Sequence, residues 1–163
     1  MAEAKKDNYT KLVIVTPYKT FYEGYAYIVT IPALDGELGI MAGHSPLVAA
    51  IRPGVLRILT EDGTKLLSCS EGYAEIGHRM VLVVCNSAEW PEEISITRIV
   101  KSYQDALKLL EEYKDFKTTK GTPITNDAIN AIGRARARMH LIELAGSESQ
   151  KNHLAQRKAE LGL

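Results

Sequence analysis

The chain of 163 residues is poor in the residues that most often announce chemistry: two cysteines, one tryptophan, two phenylalanines and four histidines. Cys69 and Cys85 form no CxxC pair and have no histidine at metal spacing, which excludes zinc modules and disulfide scaffolds. Both lie in apolar strand-like runs, KLLSCS and VLVVC, and read as small core residues. His44, His78, His140 and His153 are scattered, without partners at triad or metal spacing. No GxSxG elbow, Walker A loop, HExxH helix or strand-borne GxGxxG occurs. No active site of the chain's own is expected, and no metal.

Charge of one sign is also missing. Twenty basic and twenty acidic residues cancel, so no overall field recruits nucleic acid or an anionic membrane. No run approaches the roughly 18 to 20 apolar residues of a membrane span, and MAEAKKDNYTK has no signal-peptide core. A cytoplasmic protein is expected, meeting a membrane only through another protein.

What is present divides into two halves of different period. From Tyr9 to Asn86 short β-rich runs follow one another: KLVIVT, YAYIVTI, VLRILT, KLLSCS, YAEIG and MVLVVC. Turn signals separate them at Thr16-Pro17, Asp35-Gly36, Pro53-Gly54, Asp62-Gly63, Glu71-Gly72 and Gly77-His78. Such spacing predicts an antiparallel sandwich or barrel, with a hairpin at Glu61-Asp62-Gly63-Thr64 whose Asp-Gly pair supplies positive φ. GELGIMAGHSPL, Gly36 to Leu47, holds three glycines, a proline and a histidine, and suits a tightly turned surface loop rather than a regular element.

After Trp90-Pro91 the period becomes 3.6. Ile96, Ile99, Val100, Tyr103, Leu107, Leu110 and Tyr113 (or Lys114) share one face of a helix of roughly 20 residues, capped by Ser95. The polar stretch 117–126 reads as a connection, and Thr125 or Asn126 as the cap of a second helix. Its stripe is Ala128, Ala131, Ile132, Ala135, Met139 and Ile142. Gly146 stops that helix, and Ser147-Glu148-Ser149-Gln150 is a capping box for a short third one through Leu161. The fold class is therefore an all-β N-terminal antiparallel β-sandwich, residues 1–89, followed by an all-α helical hairpin with a short extra C-terminal helix, residues 90–163. Arg134 and Arg138, four apart on the second helix, offer either a solvated face or a site for carboxylate or phosphate.

Gly36, Glu37, Leu38, Gly39, Ile40, Gly43, His44, Pro46 and Leu47, followed by Pro53-Gly54, occur at fixed spacing. On these residues the chain resembles the epsilon subunit of the rotary ATP synthase, the family of bacterial and chloroplast epsilon and of mitochondrial delta. The resemblance spans about residues 9 to 145 and implies a β-sandwich with a helical hairpin. It implies a non-catalytic rotor subunit of a proton- or sodium-translocating synthase, peripheral on the cytoplasmic face of the cell membrane. The implied partners are the gamma subunit, the c-ring and the catalytic beta and alpha subunits.

In that family the stretch matching Glu37, Gly39, Gly43 and His44 touches the c-ring and the helical arm inhibits ATP hydrolysis. Glu37 would supply a carboxylate, the two glycines close backbone approach, and His44 either a contact or a brace for the turn. Glu89, Arg98, Arg134 and Arg138 fall where some bacterial members hold ATP, or where the arm meets the acidic beta segment. Ser95 stands in place of the usual aspartate and Ile99 in place of a small alanine, so ATP is implied only as a weak regulatory ligand and no other cofactor is. Two alternatives leave the motor aside: a free-standing β-sandwich binding module with a helical interaction hairpin, and an ATP-sensing protein.

Overall fold

The computed structural model describes residues 8–113 and 123–162. The chain divides into two compact units at the Glu89/Trp90 boundary.

The first unit is built from β1 (Thr10–Thr16), β2 (Lys19–Ala26), β3 (Ile28–Ala33), β4 (Gly36–Met41), β5 (Leu47–Ile51), β6 (Gly54–Thr60), β7 (Gly63–Cys69), β8 (Gly72–Ile76), β9 (Met80–Cys85) and β10 (Ala88–Glu89). They are linked edge to edge in the order β10-β7-β6-β3-β5-β8-β9-β1-β2, with β4 on the side of β3. β3 pairs with β6 through Ile28–Thr30 and with β5 at Ala33, so one continuous ladder folds over into two facing layers. Alternate residues point inward, as a half-buried strand requires. Leu12, Ile14, Val29, Ile31, Ile40, Leu56, Ile58 and Leu67 are wholly buried between the layers. Each contributes roughly 1.5 to 3 kcal/mol of transfer free energy.

The expected sandwich is there, with three departures from the sequence reading. β1 runs parallel to β9, whereas an antiparallel sheet is expected throughout. YAYIVTI breaks at Tyr27 into the end of β2 and the start of β3. GELGIM is a strand rather than loop: it pairs with β3 along its whole length, from Ala33↔Gly36 to Ile28↔Met41. Gly39 sits at an outward position and Gly36 opens the strand on the inward face, so Leu38 and Ile40 keep the strand period. At the 61–64 hairpin the turn residues are Glu61 and Asp62. Positive φ falls on Gly63 alone, at 116°, so aspartate is spared the left-handed region.

The second unit opens with a 3-10 turn, Pro91–Glu93, followed by α1 (Ile96–Glu112), α2 (Pro123–Ala145) and α3 (Glu148–Leu161). Along α1, Ile96, Ile99, Val100, Tyr103 and Ala106 are buried, while Leu107 is 42% exposed. The stripe runs through the alanine because a small side chain lets α2 lie close. Ser95 holds the N-cap position without a side-chain bond; its backbone carbonyl accepts from Ile99 N at 3.1 Å. α2 begins at Pro123, so Thr125 and Asn126 lie inside the helix instead of capping it. Proline suits the first turn, where its missing N–H is not needed. Of the expected connection, residues 117–122 lie outside the described residues, as does Lys114. The box that starts α3 is present as read: Gln150 N donates to Ser147 Oγ at 3.2 Å and Ser147 N to Gln150 Oε1 at 3.0 Å.

Candidate functional site

On the sandwich, the alternation of β4 turns Glu37, Gly39 and Met41 outward together. Pro32 and Thr30 of β3 lie opposite Glu37 and Gly39, and Arg57 of β6 lies on the far side of Thr30. Because Gly39 has no side chain and Thr30 a short one, Glu37 reaches across β3 to Arg57. The two make a forked ion pair, Nη2 to Oε1 at 3.1 Å and Nη1 to Oε2 at 3.3 Å. Arg57 is the residue that sequence reading missed. It sits inside the strand run VLRILT, and only the register of β6 on β3 brings it to Glu37.

A Cβ built on Gly39 would meet nothing within 4 Å. Neither backbone angle nor packing requires glycine there; the strand simply presents bare backbone to the outside. Beyond Met41, which is 58% exposed, the chain turns sharply. His44 N donates to Met41 O at 3.2 Å, and the third residue of that β-turn, Gly43, has φ +81°, as a type II turn demands of glycine. Gly43 N also donates to His78 O at 2.8 Å, tying the turn to the β8–β9 connection. The His44 ring lies 2.7 Å through Nδ1 from Ser45 O. A carbonyl only accepts, so Nδ1 carries the proton and the ring braces its own turn.

Next to this strip a groove of about 450 Å³ runs between the β3–β4 turn and β5, floored by Ala33 and Ala49. Leu34, Leu47 and Val48 border it and are 65%, 44% and 67% exposed. The outer strip therefore combines the Arg57-paired carboxylate of Glu37, bare backbone and a largely apolar furrow with the exposed Asp35 among its lining residues. Such an arrangement suits docking to another protein, not bond-making.

In the helical unit, two buried stripes run along α2: Ala128, Ala135, Met139 and Ile142, and then Ala137 and Leu141. Arg134 and Arg138, one turn apart, fall between them and are half-buried; both have interactions of their own. Arg136 lies on the exposed side. A groove of about 440 Å³ between α1 and α2 is lined by Arg98 and Lys101 but also by Asp105 and Asp127. Of the candidate ATP contacts, only Arg98 lines it. Its two cations are balanced by two carboxylates, which leaves little net attraction for a polyphosphate. Ile99 is 3% exposed, so its side chain is spent on packing. Glu89 ends β10 in the sandwich unit, pairing with Ser68.

Among the described residues no group of three or more metal-ligating side chains occurs, and no helix is long and apolar enough to cross a membrane. The two thiols are buried and free. Burial pushes Cys69 up to about 12 and Cys85 to about 11, which keeps both protonated and unreactive.

Residues 9–91 match the family model of the ATP synthase delta/epsilon chain β-sandwich domain. The ATP synthase epsilon chain of Desulforudis audaxviator is 39% identical over 110 residues, covering 68% of this chain and 77% of that protein. The one from Clostridium acetobutylicum is 37% identical, covering 64% and 79%. The one from Ruminiclostridium cellulolyticum is 34% identical over 134 residues, covering 78% and 91%. Among solved structures, a chain of the Euglena gracilis mitochondrial ATP synthase assembly of OSCP, F1 and c-ring superposes with a TM-score of 0.64 at 20% identity. It covers 85% of this chain and 81% of that one, and shares the fold. With its outward GELGIM strip on a sandwich of this topology, a helical hairpin following in sequence, and the family match over residues 9–91, the chain belongs to the ATP synthase epsilon chain family.

Proposed function

We propose that this chain is a non-catalytic central-stalk subunit of an ion-translocating ATP synthase, turning with the rotor on the cytoplasmic face of the membrane. The sandwich binds the gamma subunit and the c-ring, and the helical arm restrains ATP hydrolysis at the catalytic beta and alpha subunits. The observation that carries the reading is the outer strip of β4: Glu37, bare Gly39 and exposed Met41 in line, beside the furrow of Leu34, Leu47 and Val48. A rotor subunit must grip its neighbours hard enough to carry torque, and burial of that furrow supplies the grip while Glu37 sets the register.

The test is made in reconstituted vesicles. Glu37→Lys sets a second cation against Arg57 and should lower the ATP made per ion gradient while the subunit stays assembled. Full coupling in that variant would remove the strip from the interface. Calorimetric titration of the purified chain with its cognate gamma subunit should give tight binding; no binding would return the chain to the free-standing module.

ATP is proposed only as a weak ligand of the arm. Ser95→Asp with Ile99→Ala restores an acceptor and makes room, and should tighten ATP binding at least tenfold by the same titration. Unchanged affinity would place any nucleotide contact elsewhere.

A further inference from the structure

The third helix has no part in the reading above, yet it is attached to both ends of the hairpin. Gln150, Leu154 and Lys158 recur every four residues and so share one face of α3. Gln150 uses both ends of its amide. Its oxygen accepts from Ser147 N within the capping box, and its Nε2 donates to Pro91 O at 2.8 Å and Ile94 O at 3.5 Å. Those carbonyls belong to the segment that leads into α1. One turn on, Leu154 is 1% exposed, the one fully buried side chain of α3 among the described residues. Another turn on, Lys158 Nζ lies 2.6 Å from Glu143 Oε1, in the last turn of α2. The opposite face is polar and exposed, with Ser149, Asn152 and Gln156, and the pairs Glu148–Lys151 and Arg157–Glu160 flank the attached face.

A polar helix of 14 residues has little tendency to form by itself in water, so these three attachments are what hold it. Gln150 and Lys158 thereby join the entry of α1 to the exit of α2, two points separated in sequence by the whole hairpin. We propose that α3 is a clasp: it keeps the α1–α2 hairpin closed by bridging its two ends, and the helices separate or straighten only after α3 lets go. In the context of the proposed arm, and resting on that reading, the clasp sets the threshold at which the arm changes shape.

Hydrogen–deuterium exchange of the isolated full-length chain tests this without any partner, so a failure of the rotor reading does not affect the result. In Gln150→Ala/Leu154→Asn/Lys158→Ala, exchange should rise at least tenfold at the hydrogen-bonded amides of the α1 entry, Ile94 and Ile99, and in the last turn of α2. The middle of both helices and the strands of the sandwich should keep their protection. Unchanged protection at both hairpin ends, with α3 itself exchanging freely, would make α3 an appendage and overturn the proposal. Even loss along the full length of α1 and α2 would make it an ordinary part of the helical core, and overturn it as well. Independently, Glu143→Lys should loosen the hairpin ends and Glu143→Lys with Lys158→Glu should restore them; no restoration would also count against the clasp.

Discussion

At the level of single residues, the Glu37–Arg57 pair separates stability from function. The two side chains are 51% and 40% exposed, and an ion pair that open to water contributes at most about 1 kcal/mol. Glu37→Gln should therefore shift the urea midpoint very little while it weakens coupling. A large loss of stability would mean that the carboxylate is structural. Gly72 is the opposite case. It faces Cys85 across β8 and β9, and a Cβ there would stand 2.0 Å from Val84 O, a backbone atom that cannot swing aside. Gly72→Ala should cost about 3 kcal/mol, the upper end of overpacking, in urea unfolding with no contact to any partner lost. The thiols give a third outcome. With both pKa values raised by burial, a thiol reagent at pH 8 should label neither cysteine in the folded chain and both in denaturant; rapid labelling would show that the layers open.

At the level of elements, Glu143 makes the docking of α3 sensitive to acid. The hydrogen bond from Lys158 lowers its carboxyl below the ordinary 4.5; partial burial opposes this, and the nearby His140 of α2 adds to it. A carboxyl depressed on folding contributes its stability in full above its ordinary value and loses it as the pH falls through the folded value. The α3 amides should accordingly hold their protection at pH 6 and lose part of it below about pH 4.5. Glu143→Gln should abolish that step, and an identical step in the variant would assign it to another group. The same helix shows what sequence makes legible. A capping box and a polar face are local patterns, and Ser147, Gln150 and the end at Leu161 could be read directly. β4 could not, because Gly36, Gly39 and Gly43 look like a loop until register shows that Leu38 and Ile40 point inward opposite Ile31 and Val29. Arg57 was hidden for the same reason: strand pairing is non-local, and a charged residue within an apolar run declares its partner only when the neighbouring strand is in place. On α1, period alone could not choose between Ala106 and Leu107, since both lie near the edge of the stripe and close helix packing favours the smaller.

At the level of the whole molecule, the balance of charge decides how the chain should meet its partner. Twenty positive and twenty negative residues leave no long-range field to steer an encounter; at the outer strip Arg57 already neutralises Glu37, and Asp35 is the one other carboxylate lining the furrow. What remains to drive association is apolar area, carried by Leu34, Leu47 and Val48, all well exposed in the free chain. Burial of such area has a negative heat-capacity change and is little affected by salt, whereas interfaces built on ion pairs weaken as the Debye length shrinks. Titration with the purified c-ring should thus give an affinity that changes less than about threefold between 0.05 and 0.5 M salt, with an enthalpy that grows more negative on warming. A drop of a hundredfold over that range would mean that charges outside this strip carry the interface. Val48→Asp supplies the control within the same experiment: it places an unpaired carboxylate at the edge of the furrow, and should weaken binding at every salt concentration while leaving the fold of the sandwich intact by circular dichroism.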